Sequence, residues 1–278
     1  YFNETTFKKN YIRYGLSPKD IKAKIEEYCP DIIGVSCMCD LRKYQAIEVC
    51  KLAKQVNEDI ITVIGGNPVT VDPKWFIKQK CVDFAIMGEG ETPFLNLINT
   101  LKSGNGLETI EEGIAYRVDI GGEFEYNIRP QKTWRKDLDN IPFPAHDLID
   151  LDLYLDIWKK TGYQQYEARK FSMSVMARGC PNFCHHCPHN VLFPGYRVRS
   201  AKNIFNEMQY AHSLGIREMQ FHEYNGIVSW PIVEEFCKLM IASGLAKTMR
   251  WGWPIGIWLK ALDRDRLKLM REAGMDYL

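Results

Sequence analysis

The residues best suited to chemistry are Arg178-Gly179-Cys180-Pro181-Asn182-Phe183-Cys184-His185-His186-Cys187-Pro188, which set three thiols at C-x3-C-x2-C spacing in a Pro-flanked loop. As thiolates, Cys180, Cys184 and Cys187 are soft ligands, the usual holders of iron–sulfur clusters and of structural zinc. The ligand count separates the two. Structural zinc closes with four protein ligands, whereas a cubane cluster held by three leaves one iron open to a substrate or cofactor. A zinc knuckle completed by His185, His186 or His189 fits the same spacing, and so does a disulfide between two of the three thiols. Position favours the cluster, because the triad follows a strand-like run from Phe171 to Ala177 and opens into a helix, where barrel and open-sheet folds place their chemistry.

A second group of candidates is made of small residues. Ser36 ends the apolar run Asp31-Ile32-Ile33-Gly34-Val35-Ser36, Gly65-Gly66-Asn67-Pro68 follows Ile60–Ile64, and Gly88-Glu89-Gly90-Glu91 follows Phe84–Met87. Each lies just past the C-terminal end of a strand, where backbone amides and helix starts converge on ligands. One Gly-Gly pair is ordinary turn chemistry. Three such turns on one sheet edge point to a ligand site. Cys37 and Cys39, one residue apart at a strand end, read as small hydrophobes rather than metal ligands, as do Cys29, Cys50, Cys81 and Cys237.

The elements that must position these residues alternate strand and helix. Ser17-Pro18-Lys19-Asp20 is a capping box with Pro at the first helical position, opening a helix whose inner face is Ile21, Ile25 and Tyr28. A second helix runs from about Tyr44 to Val56, and Thr92-Pro93 caps a third with Phe94, Ile98 and Leu101 inward. This order predicts a parallel sheet with helices on both faces. Gly113–Arg129 reads as a hairpin around Gly121-Gly122, and Asn140–Ala145 as a Pro-rich connector. From Phe171 the pattern restarts, with a helix capped by Ser200, a strand at Arg217–His222, a helix opened by Pro231, a strand at Met249–Ile255 and a helix capped by Asp263. The abrupt first residues and the strand-like Asp276-Tyr277-Leu278 lead us to expect further sequence at both ends.

With 36 basic against 35 acidic residues the net charge is +1, so there is no electrostatic case for nucleic acid or a membrane surface. No apolar run approaches the length that spans a bilayer. Nine cysteines, an odd number with three clustered, suit a reducing cytoplasm better than a disulfide scaffold.

Taken together, in this order and spacing, the motifs resemble the cobalamin-binding-domain radical SAM enzymes over nearly all of residues 17–278. Arg178 to Cys187 is similar to their cysteine triad, in which three thiolates hold a 4Fe–4S cluster and the fourth iron chelates S-adenosylmethionine. The turns at Ser36, Gly65–Pro68 and Gly88–Glu91 are similar to those of their N-terminal domain, and Pro142-Phe143-Pro144-Ala145-His146-Asp147 to their linker. The resemblance implies an α/β chain in three parts: an incomplete flavodoxin/Rossmann-like cobalamin-binding domain over 1–112, a hairpin and Pro-rich linker over 113–165, and the first half of a TIM-like (β/α) radical SAM barrel over 166–278. It implies Cys180, Cys184 and Cys187 as catalytic cluster ligands, and Ser36, Gly65, Gly66, Asn67, Gly88, Glu89 and Gly90 around cobalamin. The implied reaction begins with one electron passed to S-adenosylmethionine, drawn from a donor such as flavodoxin or ferredoxin. It ends with methylation of an unactivated carbon on a small-molecule or peptide substrate. Oxidative cyclisation or rearrangement by the same cofactors is the alternative, and a non-catalytic zinc-stabilised binding protein the second. Two positions depart from the family. His186 stands before the third ligand where an aromatic residue is common, and His222-Glu223-Tyr224-Asn225 stands in place of an acidic pair. Both His186 and Glu223 are candidate cofactor contacts, the latter with a solvated strand-end charge as its alternative.

Overall fold

The computed structural model describes residues 6–8, 11–13, 15–161, 169–185, 187, 189–223 and 225–278. The chain divides into two compact units, residues 1–134 and 135–278.

The first unit opens with a short antiparallel pair, β1 (Thr6–Lys8) and β2 (Tyr11–Arg13). Helix α1 (Pro18–Tyr28) starts on the expected capping box: the Ser17 hydroxyl accepts the Asp20 amide, and the Asp20 carboxylate accepts the Ser17 amide. Ile25 is buried, but Tyr28 is 73% exposed. The helix ends one residue later in the left-handed Cys29, and its last turn leaves the surface that Ile25 packs on. Strands β3 (Ile32–Ser36), β4 (Ile61–Gly65) and β5 (Phe84–Ile86) lie parallel and adjacent. They are joined through α2 (Lys43–Val56) and the short α3 (Asn67–Val71) and α4 (Pro73–Ile77). Helix α5 (Glu91–Ser103) starts two residues before Pro93, with Gly90 at its N-cap. Its most buried positions are Pro93, Leu97 and Thr100 rather than Phe94, Ile98 and Leu101, which sit half-buried beside them.

Strands β6 (Ile114–Ile120) and β7 (Glu123–Arg129) form the expected hairpin. Where the sequence groups it with the linker, β6 pairs antiparallel with β5, so the hairpin completes the sheet in the order β3-β4-β5-β6-β7. The reason is burial. Ile114, Ala115 and Tyr116 are buried and would be stranded in water on a free ribbon, while the outer half of the hairpin is exposed.

The second unit begins with the non-helical Pro-rich segment and α6 (Leu151–Thr161). Its sheet is parallel, in the order β13-β12-β11-β8: β8 (Phe171–Ser174), β11 (Glu218–Phe221), β12 (Arg250–Gly252) and β13 (Met275–Tyr277). Helices α8 (Ala201–Ser213), α9 (Trp230–Ala242) and α10 (Arg264–Glu272) connect successive strands, giving a run of βα repeats. Ser200 and Asp263 cap α8 and α10 as expected. The core on the helix side gathers Met219, Phe221, Phe236, Trp251 and Trp253, whose rings pack edge-on. Between β8 and α8 lie two further strands, β9 (Ala177–Arg178) and β10 (Arg197–Val198), with α7 (His189–Leu192) between them.

Candidate active site

The cysteine loop is closed at its neck. β9 and β10 pair antiparallel, Ala177 with Val198 and Arg178 with Arg197, so the chain leaves the end of β8 and returns to it. The neck is narrow enough that Gly179, with positive φ, has no room for a Cβ: one would overlap the Gly195 carbonyl. Within the loop Cys180 is half-buried and Cys184 and Cys187 are exposed; the Cys187 amide donates to the Cys184 carbonyl at 3.1 Å. Among the described residues no three His, Cys, Asp or Glu side chains are gathered as a metal cage, so the loop carries the three thiols without drawing them to one point. Thiols have no affinity for one another that would gather them; a metal centre does that as it deprotonates them. Three soft donors on one tethered loop fit a cluster by the chemistry of the set. His185 is exposed, His189 is buried in α7, and His186 lies outside the described residues.

The neck is anchored from behind by polar groups that sequence reasoning did not single out. Arg199, just past β10, is buried. Its amide donates to the Met176 carbonyl and its guanidinium to the Val175 carbonyl, both at 2.9 Å. The same guanidinium meets Glu207 of α8 at 2.5 Å, and Glu207 also accepts the Ser174 hydroxyl at 2.8 Å. His146 of the Pro-rich segment completes the group, 2.7 Å from the Ser172 hydroxyl and with Nε2 3.4 Å from Glu207. Burial alone raises the Glu207 carboxyl, but the nearby His146 ring, the Arg199 charge and the Ser174 hydroxyl outweigh it and hold the group below its usual range.

Glu223 follows β11 and is not a solvated charge. It is 3% exposed; one carboxyl oxygen accepts the Met176 amide at 3.1 Å and the other accepts the indole N–H of Trp253, just past β12. Burial pushes the carboxyl up to about 7 against both hydrogen bonds, which favour the charged form. Tyr196, near the returning end of the loop, is itself raised to about 12 by burial and the nearby Glu223 charge.

In the first unit the register puts Ser36 beside Gly65 and Gly65 beside Ile86, so the predicted turns do lie along one sheet edge. The Cys37 amide donates to the Gly65 carbonyl at 2.8 Å; Cys37 is buried and Cys39 exposed. The glycines there are of two kinds. At Gly66 and Gly88, both with positive φ, a Cβ would overlap the Cys37 carbonyl and the Gln131 side chain respectively. Gly65 and Gly90 meet nothing closer than 3.5 Å and 3.6 Å, so the protein's own packing does not require glycine at either. The Gly88 amide donates to the Thr70 hydroxyl at 2.9 Å and the Glu89 amide to the Gln131 side-chain carbonyl at 2.7 Å. A cradle with room at Gly65 and Gly90 fits the approach of a large flat ligand.

Residues 1–98 match the family model of the B12 binding domain. With the parallel βα repeats and the three-thiol loop that follow, this decides the architecture. In fold the chain resembles the cobalamin-binding-domain radical SAM enzymes. An uncharacterized methyltransferase of Pyrococcus horikoshii is 29% identical over 74% of this chain and 42% of its own length. The cytidylyl-2-hydroxyethylphosphonate methyltransferase of Streptomyces wedmorensis is 28% identical over 95% of this chain and 52% of its own. The anaerobic magnesium-protoporphyrin IX monomethyl ester cyclase of Cereibacter sphaeroides is 27% identical over 95% of this chain and 41% of its own. The chain thus spans about half the length of the curated relatives it matches. Among solved structures, the radical S-adenosylmethionine methyltransferase TsrM from Kitasatospora setae, with cobalamin and a 4Fe-4S cluster bound, superposes with a TM-score of 0.67 at 15% identity. The match covers 92% of this chain and 51% of that one, a likeness of fold. The match to the B12 binding domain is thus followed by parallel βα repeats that share the fold of that radical S-adenosylmethionine methyltransferase. No described helix is long and apolar enough to cross a membrane.

Proposed function

We propose that this chain carries the cofactor-binding part of a cobalamin-dependent radical SAM enzyme that methylates an unactivated carbon of a small-molecule or peptide substrate. The observation that carries the reading is one chain holding both a B12-binding domain and, at the strand ends of a parallel half-barrel, a necked loop with Cys180, Cys184 and Cys187. When bound, the cluster supplies the electron for reductive cleavage of S-adenosylmethionine, and cobalamin the methyl carrier. The protein's own part is to hold and to shield. The three thiolates would take three irons and leave the fourth for S-adenosylmethionine. The backbone at Ser36, Gly65, Gly66, Asn67, Gly88, Glu89 and Gly90 would seat the corrin and its nucleotide tail. His186 remains a candidate contact at the adenine side. The electron donor would be a flavodoxin or ferredoxin of a reducing cytoplasm.

The test is anaerobic loading of the chain with iron, sulfide and cobalamin, followed by assay with S-adenosylmethionine and a low-potential reductant. A brown protein that consumes S-adenosylmethionine and forms S-adenosylhomocysteine in step with a methylated product supports the reading. A colourless protein with one bound zinc ends it. A second reading is favoured by the cyclase relatives, three of which match 94–95% of this chain. Oxidative ring formation with the same cofactors would consume S-adenosylmethionine and yield no methylated product.

A further inference from the structure

Expected as a cofactor contact, Glu223 has both carboxyl oxygens committed to the protein. The Met176 amide that it accepts lies between β8 and β9, one residue before the outgoing strand of the cysteine loop closes its first pair. The Trp253 indole fixes the other oxygen from the end of the next strand. The turn behind it is built to press on this carboxyl: a Cβ at Gly226 would overlap both Glu223 and the Trp253 indole nitrogen. The same turn reaches the returning end of the loop. The Tyr196 hydroxyl stands 3.4 Å and 3.5 Å from the carbonyls of Asn225 and Gly226. Asn225 is buried in its turn and accepts the Trp258 amide at 3.3 Å. Glu223, Asn225 and Gly226, which follow β11, therefore tie down the loop where it leaves the sheet and where it comes back.

We infer that Glu223 is a positioning residue that clamps the neck of the cysteine loop through Met176 and Trp253, and not a ligand of the cofactor bound there. The inference rests on the proposed function only for what the loop holds; the clamp itself is a property of the protein. A carboxylate bonded to two N–H groups has two acceptors. An amide at the same place has one acceptor and turns its own N–H2 toward the other donor, so Glu223→Gln should open one tie without leaving a cavity.

The decisive measurement is hydrogen exchange over Met176–Cys180 in the full chain, before and after anaerobic iron and sulfide loading. The clamp predicts exchange about tenfold faster in E223Q, and a rise of the same sense in Trp253→Phe, which keeps the carboxylate. It also predicts that, after loading, both variants shift the EPR signature of the reduced cluster in the absence of S-adenosylmethionine. Unchanged exchange in E223Q would overturn the clamp. So would a cluster signature that in both variants matches the wild type and departs from it only when S-adenosylmethionine is added, since that is the behaviour of a direct contact. The exchange measured before loading tests the clamp on the iron-free chain, and the iron content of the loaded wild-type chain decides the cluster reading separately.

Discussion

The two candidate sites sit at strand ends in both units, yet they are held in opposite ways. In residues 1–134 the edge is shaped by backbone: positive φ at Gly66 and Gly88, close chain crossings, and amides capped by Thr70 and Gln131. In residues 135–278 the cysteine loop is held by buried ionisable side chains, Glu223 on one side of its root and Arg199 with Glu207 on the other. A broad planar ligand needs an open shelf, and small residues leave one. A loop that must hold soft ligands in one geometry needs rigid ties that a few hydrogen-bonded side chains provide.

The comparison is broken most completely by Cys184→Ala. This should abolish iron binding and S-adenosylmethionine cleavage together while leaving cobalamin binding to the first unit, read by iron analysis and visible absorption. Glu207→Ala comes next. It leaves the Arg199 guanidinium buried without its partner, a loss of about 3–5 kcal/mol in the stability of the second unit, measurable by denaturant unfolding with region-resolved exchange.

A smaller effect concerns pH. The Glu223 carboxyl is raised to about 7 in the folded chain, above the ordinary glutamate value that it has when unfolded. A raised carboxyl favours folding fully only below the unfolded value, and that contribution is lost as pH rises toward the folded one. Between about pH 4.5 and 7 the wild type should lose roughly 3 kcal/mol relative to E223Q. The neighbouring Arg199 charge opposes the shift, and Tyr196 stays neutral throughout. Unfolding curves at three pH values check it; parallel curves for the two proteins would show that Glu223 is ionised in the fold.

The finest contrast sets two glycines of the first unit against each other. Gly66→Ala should cost about 1–3 kcal/mol of stability, from positive φ and the Cys37 carbonyl. Gly65→Ala should leave stability nearly unchanged, its Cβ meeting Ile86 only at ordinary contact distance, and weaken cobalamin binding, by absorbance titration.

Much of this was legible in the sequence because the signals are local. Capping at Ser17, Ser200 and Asp263, the order of strands and helices, and small residues at strand ends all lie within a few positions of what they predict. The departures are non-local. Glu223 reads as a cofactor contact or a solvated strand-end charge because the groups that bury it, Met176 and Trp253, come from 47 and 30 residues away. Glu207 likewise takes Ser174 from 33 residues upstream. The hairpin reads as a linker because nothing in its own alternation says that β5 offers an open edge. At Gly66 and Gly88 the residue type was expected, but for the ligand's sake, whereas the protein's own carbonyl and side chain already demand it.

The capped amides of Gly88 and Glu89 carry one more consequence. A ligand's polar group that settled on them would exchange partners with Thr70 and Gln131 rather than satisfy bare donors, so the gain per bond is a difference between two hydrogen bonds. Affinity at this edge then depends on surface contact and shape far more than on polar anchoring. Association would wait on the swing of the Gln131 side chain, a kinetic gate that Gln131→Ala should remove, speeding association and, by baring the Glu89 amide, strengthening it.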